Sequence, residues 1–425
     1  MKVKRSRQVV AGALGVSGAV AALALGAGPA LAARPQVRPH MPMWSAQSQL
    51  SRMAEMPVAS TVPKNGDTNP YGVAVVPVNA GILLKGDILV ANFNNSAGTA
   101  GAGTTIVEVN PMTGATTTFY QGSKTLVGPV AIAINPTAGI VWVGDYGPAN
   151  ANGVYGGAMA NVDVISPAGK LLATYNNATT ATTDFSGVWG QAFAVINKKG
   201  SFLWTNAGDG TTGTGGGAVW QLTPTPPPSP TTSTYAPISS GLPYNSTPGT
   251  TAANAAGPQG LVYDSSNSTL YVTDDANNTI YAITGVGTSN PTTTPLVSGG
   301  WLNTPQGIAI NPANGDLLVV NGAGNNDLLE YTTMGRLVAR RDLFPGQAAG
   351  ALFGLAATTT SSGQTTLYFG NDNNNMLYEL TGPVVGGGMP MGRGHMHGRG
   401  HMHGRGHMHG RGHMHGRGHM HGRGR

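Results

Sequence analysis

The sequence predicts an all-β fold in which six antiparallel blades form a β-propeller, and three observations support this prediction. First, apolar segments of four to seven residues alternate with turns rich in Gly, Asn, Pro and Asp, whereas helical periodicity is absent. Short strands separated by such turns are typical of antiparallel sheets. Second, a unit of three or four strands recurs six times between residues 55 and 382. Third, the second strands of the units align without gaps, and such repetition fits radial blades better than a sandwich.

The second strands read "ILVAN", "VWVGD", "FLWTN", "LYVTD", "LLVVN" and "LYFGN". Their final residues occupy one equivalent position and form a ring of polar side chains: Asn92, Asp145, Asn206, Asp274, Asn321 and Asn371. Asn and Asp side chains readily bond the backbone of a following tight turn, so turn capping is the first interpretation. The second interpretation is contact with a metal ion or a substrate.

The propeller is expected over residues 55–382. Its blades are predicted near 70–119, 129–175, 188–238, 257–298, 304–343 and 352–382. The last unit holds only three strands, so residues 55–63 are expected to add its outer strand and remove an open sheet edge. The Pro-rich opening of segment 223–257 lacks the backbone donors of a central strand, which predicts an exposed excursion from the third blade.

The first 32 residues predict a secretory signal peptide. A cationic start, "MKVKRSRQ", precedes an Ala- and Gly-rich apolar segment and the small-residue cleavage signature Ala30-Leu31-Ala32, as in bacterial signal peptides. A retained membrane anchor is the alternative. Residues 33–54 are expected to form a flexible arm. We therefore expect an exported protein, located in the periplasm, outside the cell or at the cell surface.

Composition excludes several classes of site. The chain has no cysteine, so disulfides, thiolate metal sites and cysteine nucleophiles are excluded. Of its 23 basic residues, four lie in the signal peptide and seven in the C-terminal tail, and the remaining 12 face 17 acidic residues. The body of the protein is therefore mildly acidic, and a nucleic-acid partner for it has no electrostatic support.

The C-terminal segment, residues 383–425, is a low-complexity tail built on the hexad "HMHGRG" and holds ten of the 11 histidines. Imidazole suits Cu(II), Ni(II) and Zn(II), and the Met thioether suits Cu(I). We predict that the tail binds copper or nickel ahead of zinc and is disordered without metal. An inert solvated repeat and a phosphate-binding Arg-Gly tail are the alternatives. The predicted ligands are His395, Met396, His397, His401, Met402, His403, His407, Met408, His409, His413, Met414, His415, His419, Met420 and His421.

Two of the repeats carry a family resemblance. They read "TPQGIAINPANGDLLVVNGAGNNDLLEY" and "GPQGLVYDSSNSTLYVTDDANNTIYAITG". The pattern Pro-x-Gly-Ile-Ala, an apolar strand, an Asn-rich turn and a further apolar strand resembles the NHL-repeat six-bladed propellers and the related gluconolactonase and regucalcin-like propellers. The stretch "NPYGVAVVP" with "GDILVANFNNS" resembles exported bacterial propellers of unassigned function. The resemblance covers about 57–382 and implies the architecture, because propellers support binding, lyase, lactonase and oxidoreductase functions alike.

Candidate chemistry in the propeller is limited to carboxylates and amides. His40, in the predicted arm, is the only histidine outside the tail, so a histidine base or an imidazole-bound zinc centre is not expected in the blades. This puts in doubt the histidine-dependent lyase activities found among the relatives. The lactonase relatives imply that carboxylates hold Ca²⁺ together with Asn and carbonyl oxygens. The candidates are Asp145, Asp163, Asp209, Asp274, Asp275, Asp327 and Asp372.

Two functions follow from these observations. The first is an exported binding protein that takes a protein or glycan ligand on the propeller face and carries a metal-binding tail, with no catalytic residue predicted. The alternative is a calcium-dependent, lactonase-like hydrolase or lyase that uses Asp and Asn groups at the mouth of the propeller channel. Convergence of two or three acids on one point would favour the metal site. The tryptophans of the strands are expected to pack between blades.

Overall fold

The computed structural model describes residues 49–382 except 123–124, 150–156, 158, 181–184, 211 and 248–254. The predicted signal peptide, most of the predicted arm and the histidine- and methionine-rich tail lie outside the described residues. The described residues contain no helix that is long and apolar enough to cross a membrane.

The described part of the chain forms 24 strands, numbered here along the chain, in six four-stranded antiparallel sheets. The first strand, β1 (Ala54–Ser60), belongs to the last blade. Blade 1 contains β2 (Thr68–Val75), β3 (Ile88–Asn94), β4 (Thr105–Val109) and β5 (Thr116–Gln121). Blade 2 contains β6 (Pro129–Ile134), β7 (Val141–Asp145), β8 (Asn161–Ile165) and β9 (Leu171–Asn176). Blade 3 contains β10 (Val188–Ile196), β11 (Lys199–Asn206), β12 (Ala218–Thr223) and β13 (Thr234–Ser240).

The remaining blades follow the same order. Blade 4 contains β14 (Pro258–Asp264), β15 (Thr269–Asp274), β16 (Thr279–Thr284) and β17 (Thr292–Ser298). Blade 5 contains β18 (Pro305–Ile310), β19 (Leu317–Asn321), β20 (Asp327–Tyr331) and β21 (Leu337–Asp342). Blade 6 contains β22 (Leu355–Thr359), β23 (Thr365–Asn371), β24 (Met376–Thr381) and, on its outer edge, β1. The helices are a 3₁₀ turn at Gln49–Arg52 and a single turn, α1, at Asn177–Thr180.

The blades close into a ring around a central channel. The innermost strands contact one another in the order β2, β6, β10, β14, β18, β22 and back to β2. These six strands all run in the same direction along the channel, because each one opens its own antiparallel blade. The predicted all-β fold with six antiparallel blades is therefore confirmed.

The N-terminal strand closes blade 6. β1 pairs with β24 from Ala54 opposite Thr381 to Ser60 opposite Met376, with an irregularity between Pro57 and Ala59. Every blade thereby has four strands, and the sixth does not present the bare edge of β24 to solvent.

The end of the predicted flexible arm is packed against the propeller, which differs from the prediction for 33–54. The Arg341 guanidinium donates to the backbone oxygens of Leu50 and Met53 at 2.9 and 2.7 Å and pairs with Glu55 at 3.1 Å. The side chains of Leu50 and Met53 are buried in the apolar cluster of blades 5 and 6. The four-residue turn Gln49–Arg52 is too short to show a hydrophobic periodicity in the sequence, so the sequence did not predict that it packs on the propeller.

Apolar cores lie between neighbouring blades. Trp142 of β7, for example, stacks on Phe202 of β11 with ring centroids 5.1 Å apart, and both side chains are fully buried. Each sheet is therefore covered on its two faces, which explains why the second strands are buried along their whole length instead of alternating.

A ring of glycines sets how closely the inner strands approach. Five of the six inner strands have glycine at the third position of the repeat, and the sixth has alanine: Gly72, Ala131, Gly190, Gly260, Gly307 and Gly354. A Cβ atom on Gly260 or Gly307 would lie 2.5 Å from a carbonyl oxygen of the next inner strand, and one on Gly190 or Gly354 would overlap such an oxygen more deeply. Thr205 of β11 and Thr273 of β15 donate to the carbonyl oxygens of Gln259 and Gln306 at 2.7 and 2.5 Å, so each joins the second strand of one blade to the inner strand of the next.

We expect Gly190→Ala to lower the free energy of unfolding by about 3 kcal/mol, because the new methyl group has to displace the backbone of β14 and not a flexible side chain. Gly200→Ala in the same blade is the matched control, since its Cβ would meet only the Phe193 ring, at 3.0 Å. Urea unfolding of the two variants measures the difference. Equal stability of the two variants would contradict the close approach of the inner strands.

Candidate functional site at the channel mouth

The channel holds a small cavity at the end where the inner strands begin, which we call the channel mouth. Its volume is about 80 Å³. In five of the six blades, the residue just before the third-position glycine or alanine lines this space. The residues at that position that line the cavity are Tyr71, Val130, Trp189, Gln306 and Phe353. Deeper in the channel the lining becomes apolar, with Val73, Ile132, Leu261, Ile308 and Leu355.

Aromatic rings form one side of the mouth, and we call this set the aromatic wall: Tyr71, Phe93, Tyr146, Trp189 and Phe353. Tyr71 stacks on Phe353 with centroids 3.8 Å apart and on Phe93 at 4.4 Å. Trp189 meets the edges of Tyr71 and Tyr146 at 5.8 and 5.7 Å. Of these rings, Tyr71, Trp189 and Phe353 line the cavity, while Phe93 and Tyr146 are buried behind them.

Two carboxylates, Asp275 and Asp372, lie beside this site without lining the cavity, and the charges of both act on the Tyr71 hydroxyl. Each follows directly after the last residue of a second strand, β15 or β23. Asp275 accepts hydrogen bonds from the Gly257 backbone at 2.7 Å and from Gln306 Nε2 at 3.0 Å. Asp372 faces the Asn69 amide at 2.7 Å, which donates to it when the amide nitrogen is turned toward the carboxylate.

The environment of the two carboxyl groups shifts their protonation. Burial raises the pKa of Asp372 from its ordinary 3.8 to about 7. Burial also raises the pKa of Asp275 to about 6, although the hydrogen bonds from Gly257 and Gln306 oppose the shift. Burial and the neighbouring charges of Asp372 and Asp275 raise the pKa of the Tyr71 hydroxyl, so Tyr71 remains a neutral donor. Both acids therefore titrate close to neutral pH.

Two buried glutamines at the mouth have unused hydrogen-bonding capacity. Gln306 is 6% exposed and Gln191 is 9% exposed, and both line the cavity. Gln306 Oε1 and both amide atoms of Gln191 make no hydrogen bond with any residue that the structure describes. Leaving such a group without a partner costs about 1–3 kcal/mol. A polar ligand group or water inside the cavity would offset that cost.

The structure places the six ring positions predicted from the sequence at the ends of the second strands, where they bond the backbone or side chains of nearby turns. Asp274 Oδ1 accepts from the Ala276 backbone at 3.0 Å and Asn371 Oδ1 from Asn373 at 3.0 Å. Asp145 accepts hydrogen bonds from the backbone of Val127 and Gly147, and Asn321 accepts one from the backbone of Asn303. The Asn92 amide donates to the Thr61 carbonyl oxygen, and the Asn206 amide oxygen accepts from the Trp204 indole. None of the six lines the mouth cavity. Asp145, Asp274 and Asn371 accept from the backbone two residues further on, as a turn cap does, whereas Asn92, Asn206 and Asn321 make other contacts.

The carboxylates considered for calcium do not converge. Within the described ranges, no three His, Asp or Glu side chains are close enough to one another to hold a metal ion. Asp163 bonds Thr174, Asp209 bonds Thr212 at 2.6 Å, and Asp327 pairs with Arg340 at 3.0 Å. The histidine and methionine ligands proposed for the tail lie outside the described residues.

Sequence reasoning identified Asp275 and Asp372 only as two of several acids, and it missed the residues that face them. Trp189 belongs to the mouth and is not confined to inter-blade packing. A usable signal exists in the repeat, because the residue before each ring glycine varies among Tyr, Val, Trp, Gln, Gln and Phe while its neighbours stay apolar. When one position of a repeat varies while its neighbours stay apolar, the side chain at that position is not part of the core that all the repeats share.

Comparisons with known proteins give similarities in structure alone. No family model matches the sequence, and no curated protein matches it. The chain is similar in structure to a calcium-binding regucalcin from Agrobacterium tumefaciens, with 13% identity, a TM-score of 0.48 and coverage of 76% of this chain and 93% of that one. It is also similar to virginiamycin B lyase from Staphylococcus aureus (15% identity, TM-score 0.45, coverage 78% and 99%) and to a putative glucose dehydrogenase from Thermus thermophilus (15%, 0.44, 77% and 99%).

We expect the free energy of unfolding to fall as pH rises from about 4 to 7. Burial raises the pKa of Asp274 to about 7, as it does for Asp372, so the folded state binds more protons than the unfolded chain between those pH values. Asp274→Asn keeps the acceptor for Ala276 and should flatten the slope and stabilise the protein at pH 7.5. Asp264→Asn, in an exposed turn, is the control. Urea unfolding at pH 4.5, 6.0 and 7.5 measures both, and an unchanged slope in Asp274→Asn would contradict the assignment.

Proposed function

We propose that this protein is an exported binding protein whose propeller holds a ligand at the channel mouth and whose C-terminal tail binds copper or nickel. The observation that supports the first part is the composition of the mouth. Aromatic side chains and Gln306 line a cavity of about 80 Å³, two carboxylates lie close to Tyr71, and Gln306 Oε1 has no partner among the described residues. Concave sites with aromatic walls and few convergent polar groups are typical of ligand binding.

The size of the cavity limits what enters. A volume of about 80 Å³ accepts a single small group, so a protein or glycan ligand on the propeller face would insert one side group while the rest stays outside. Binding suits the mouth better than hydrolysis does, because Asp275 already accepts from Gly257 and Gln306. No observation on the described residues favours the calcium-dependent alternative, which needs several converging oxygen ligands.

Ligand binding at the mouth is tested by thermal shift of the full-length protein against small neutral, anionic and cationic compounds. At least one class should raise the melting temperature. The shift should be lost in Trp189→Leu, which removes a ring of the aromatic wall, and retained in Trp301→Leu, because Trp301 is 51% exposed and contacts Arg340 instead. Urea unfolding checks that both variants fold. A panel without any saturable shift would argue against the proposed function.

The metal-binding part of the proposal rests on the five hexads of the tail. Each hexad offers two imidazoles and a thioether with glycine and arginine as spacers. The arginines repel cations, so we expect several weak sites in place of one tight site. Imidazole must be neutral to bind a metal and titrates near pH 6.5, so affinity should fall as pH drops through about 6.

We expect calorimetric titration with Cu(II) or Ni(II) at pH 7.5 to give a stoichiometry above one for the full-length protein. A chain truncated after Gly388 should bind no more than background, with a melting temperature close to that of the full-length protein. A full-length variant with alanine at the ten tail histidines is the matched control, because it retains the length and the arginines. Metal binding that survives in the truncated chain would place the site elsewhere.

A further inference from the structure

We propose that the channel mouth selects a ligand that carries an ammonium group attached to a short apolar segment. This inference rests on the proposed function, since it names the chemical class taken by the same site. The mouth joins three features that suit such a group: carboxylates without basic partners, ring faces and an acceptor-only amide oxygen.

The charge at the mouth is uncompensated. The two ion pairs among the described residues, Arg340 with Asp327 and Arg341 with Glu55, involve the outer strands and the N-terminal turn. No basic side chain is among the groups that influence the protonation of Asp275 or Asp372. Two ionisable carboxyls beside Tyr71 therefore attract a cation and repel an anion.

Gln306 is held so that it accepts. Its Nε2 donates to Asp275 Oδ2 at 3.0 Å, and its Oε1 is an acceptor without a partner in the described chain, in a side chain that lines the cavity. An ammonium group is a pure donor with three N–H bonds. It would satisfy Gln306 Oε1 and would be attracted by the nearby carboxylates, whereas a carboxylate or phosphate would meet only further acceptors.

The aromatic wall adds a second attraction for a cation. Tyr71, Trp189 and Phe353 line the cavity, and a cation within about 6 Å of a ring centroid gains about 0.5–2 kcal/mol, most from tryptophan. Below them the channel is lined by Val73, Ile132 and Leu261. The charged head therefore stays at the mouth while a short alkyl segment can contact the apolar lining.

The test compares three probes of similar size: n-propylammonium, n-propanol and propionate. Their binding to the full-length protein is measured at pH 8 by calorimetry and by the fluorescence of Trp189, with Trp189→Leu as the reference for that signal. We expect n-propylammonium to bind at least tenfold more tightly than n-propanol, and propionate not to bind. Asp372→Asn should weaken n-propylammonium at least tenfold, while Asp264→Asn, in a turn between β14 and β15, should leave the affinity unchanged.

The pH dependence gives an independent readout. Asp372 faces Asn69 and Tyr71, and Asp275 faces Gly257, Gln259, Gln306, Asp274 and Tyr71. Ionised carboxyls attract the cation, so its affinity should fall as pH drops from 8 to 5, and Asp372→Asn should reduce that dependence.

The outcomes separate the two proposals. Preferential binding of n-propanol or propionate at the mouth would overturn the ammonium assignment and leave the proposed function standing. Binding of n-propylammonium that is insensitive to both Asp372→Asn and Trp189→Leu would overturn the assignment as well, because the site would lie elsewhere. Absence of binding by all three probes, together with a negative thermal-shift panel, would overturn both.

Discussion

The close approach of the inner strands at the glycine ring is the constraint on which the other features depend. At Gly190, Gly260, Gly307 and Gly354 a side chain would meet the backbone of the next blade, and Thr205 and Thr273 hydrogen-bond across the same seams. This approach fixes the width of the channel, so that a cavity of only about 80 Å³ remains. It also leaves the residue before each glycine as the one that projects into the mouth, and the site is built from that position.

The repeat supplies a scaffold, and departures from the repeat supply the chemistry. The residue that follows each Asn or Asp of the polar ring is Phe93, Tyr146, Ala207, Asp275, Gly322 or Asp372. At this position blades 1 and 2 thus contribute rings, and blades 4 and 6 contribute acids. A symmetric propeller would present the same group six times, whereas this chain presents different groups in different blades. Such asymmetry gives a ligand one preferred orientation, which a ring of identical groups cannot provide.

The sequence was sufficient to predict the blades and was insufficient to predict the mouth. Strand pattern and repetition depend on local alternation and turn residues, which are readable along the chain. The pairing of Tyr71 with Phe353, separated by most of the chain, depends on ring closure, which no local pattern records. The hydrogen bond from Gln306 to Asp275 also joins different blades, so no local pattern predicts it. The ring of Asn and Asp residues was recognised because it repeats, and in three of the six blades its residue caps a turn.

Asp327 shows how an acid can be compensated in this fold. Arg340 holds it at 3.0 Å, and Arg340 in turn lies 4.1 Å from the Trp301 ring. Asp275 and Asp372 have no basic group acting on them, and burial raises their pKa toward neutral values. Each of them therefore lowers stability at pH 7 relative to a neutral residue of the same size. A cation bound at the mouth would stabilise the ionised carboxylates and reverse that loss of stability. The same buried negative charge therefore destabilises the free protein and attracts a positively charged group.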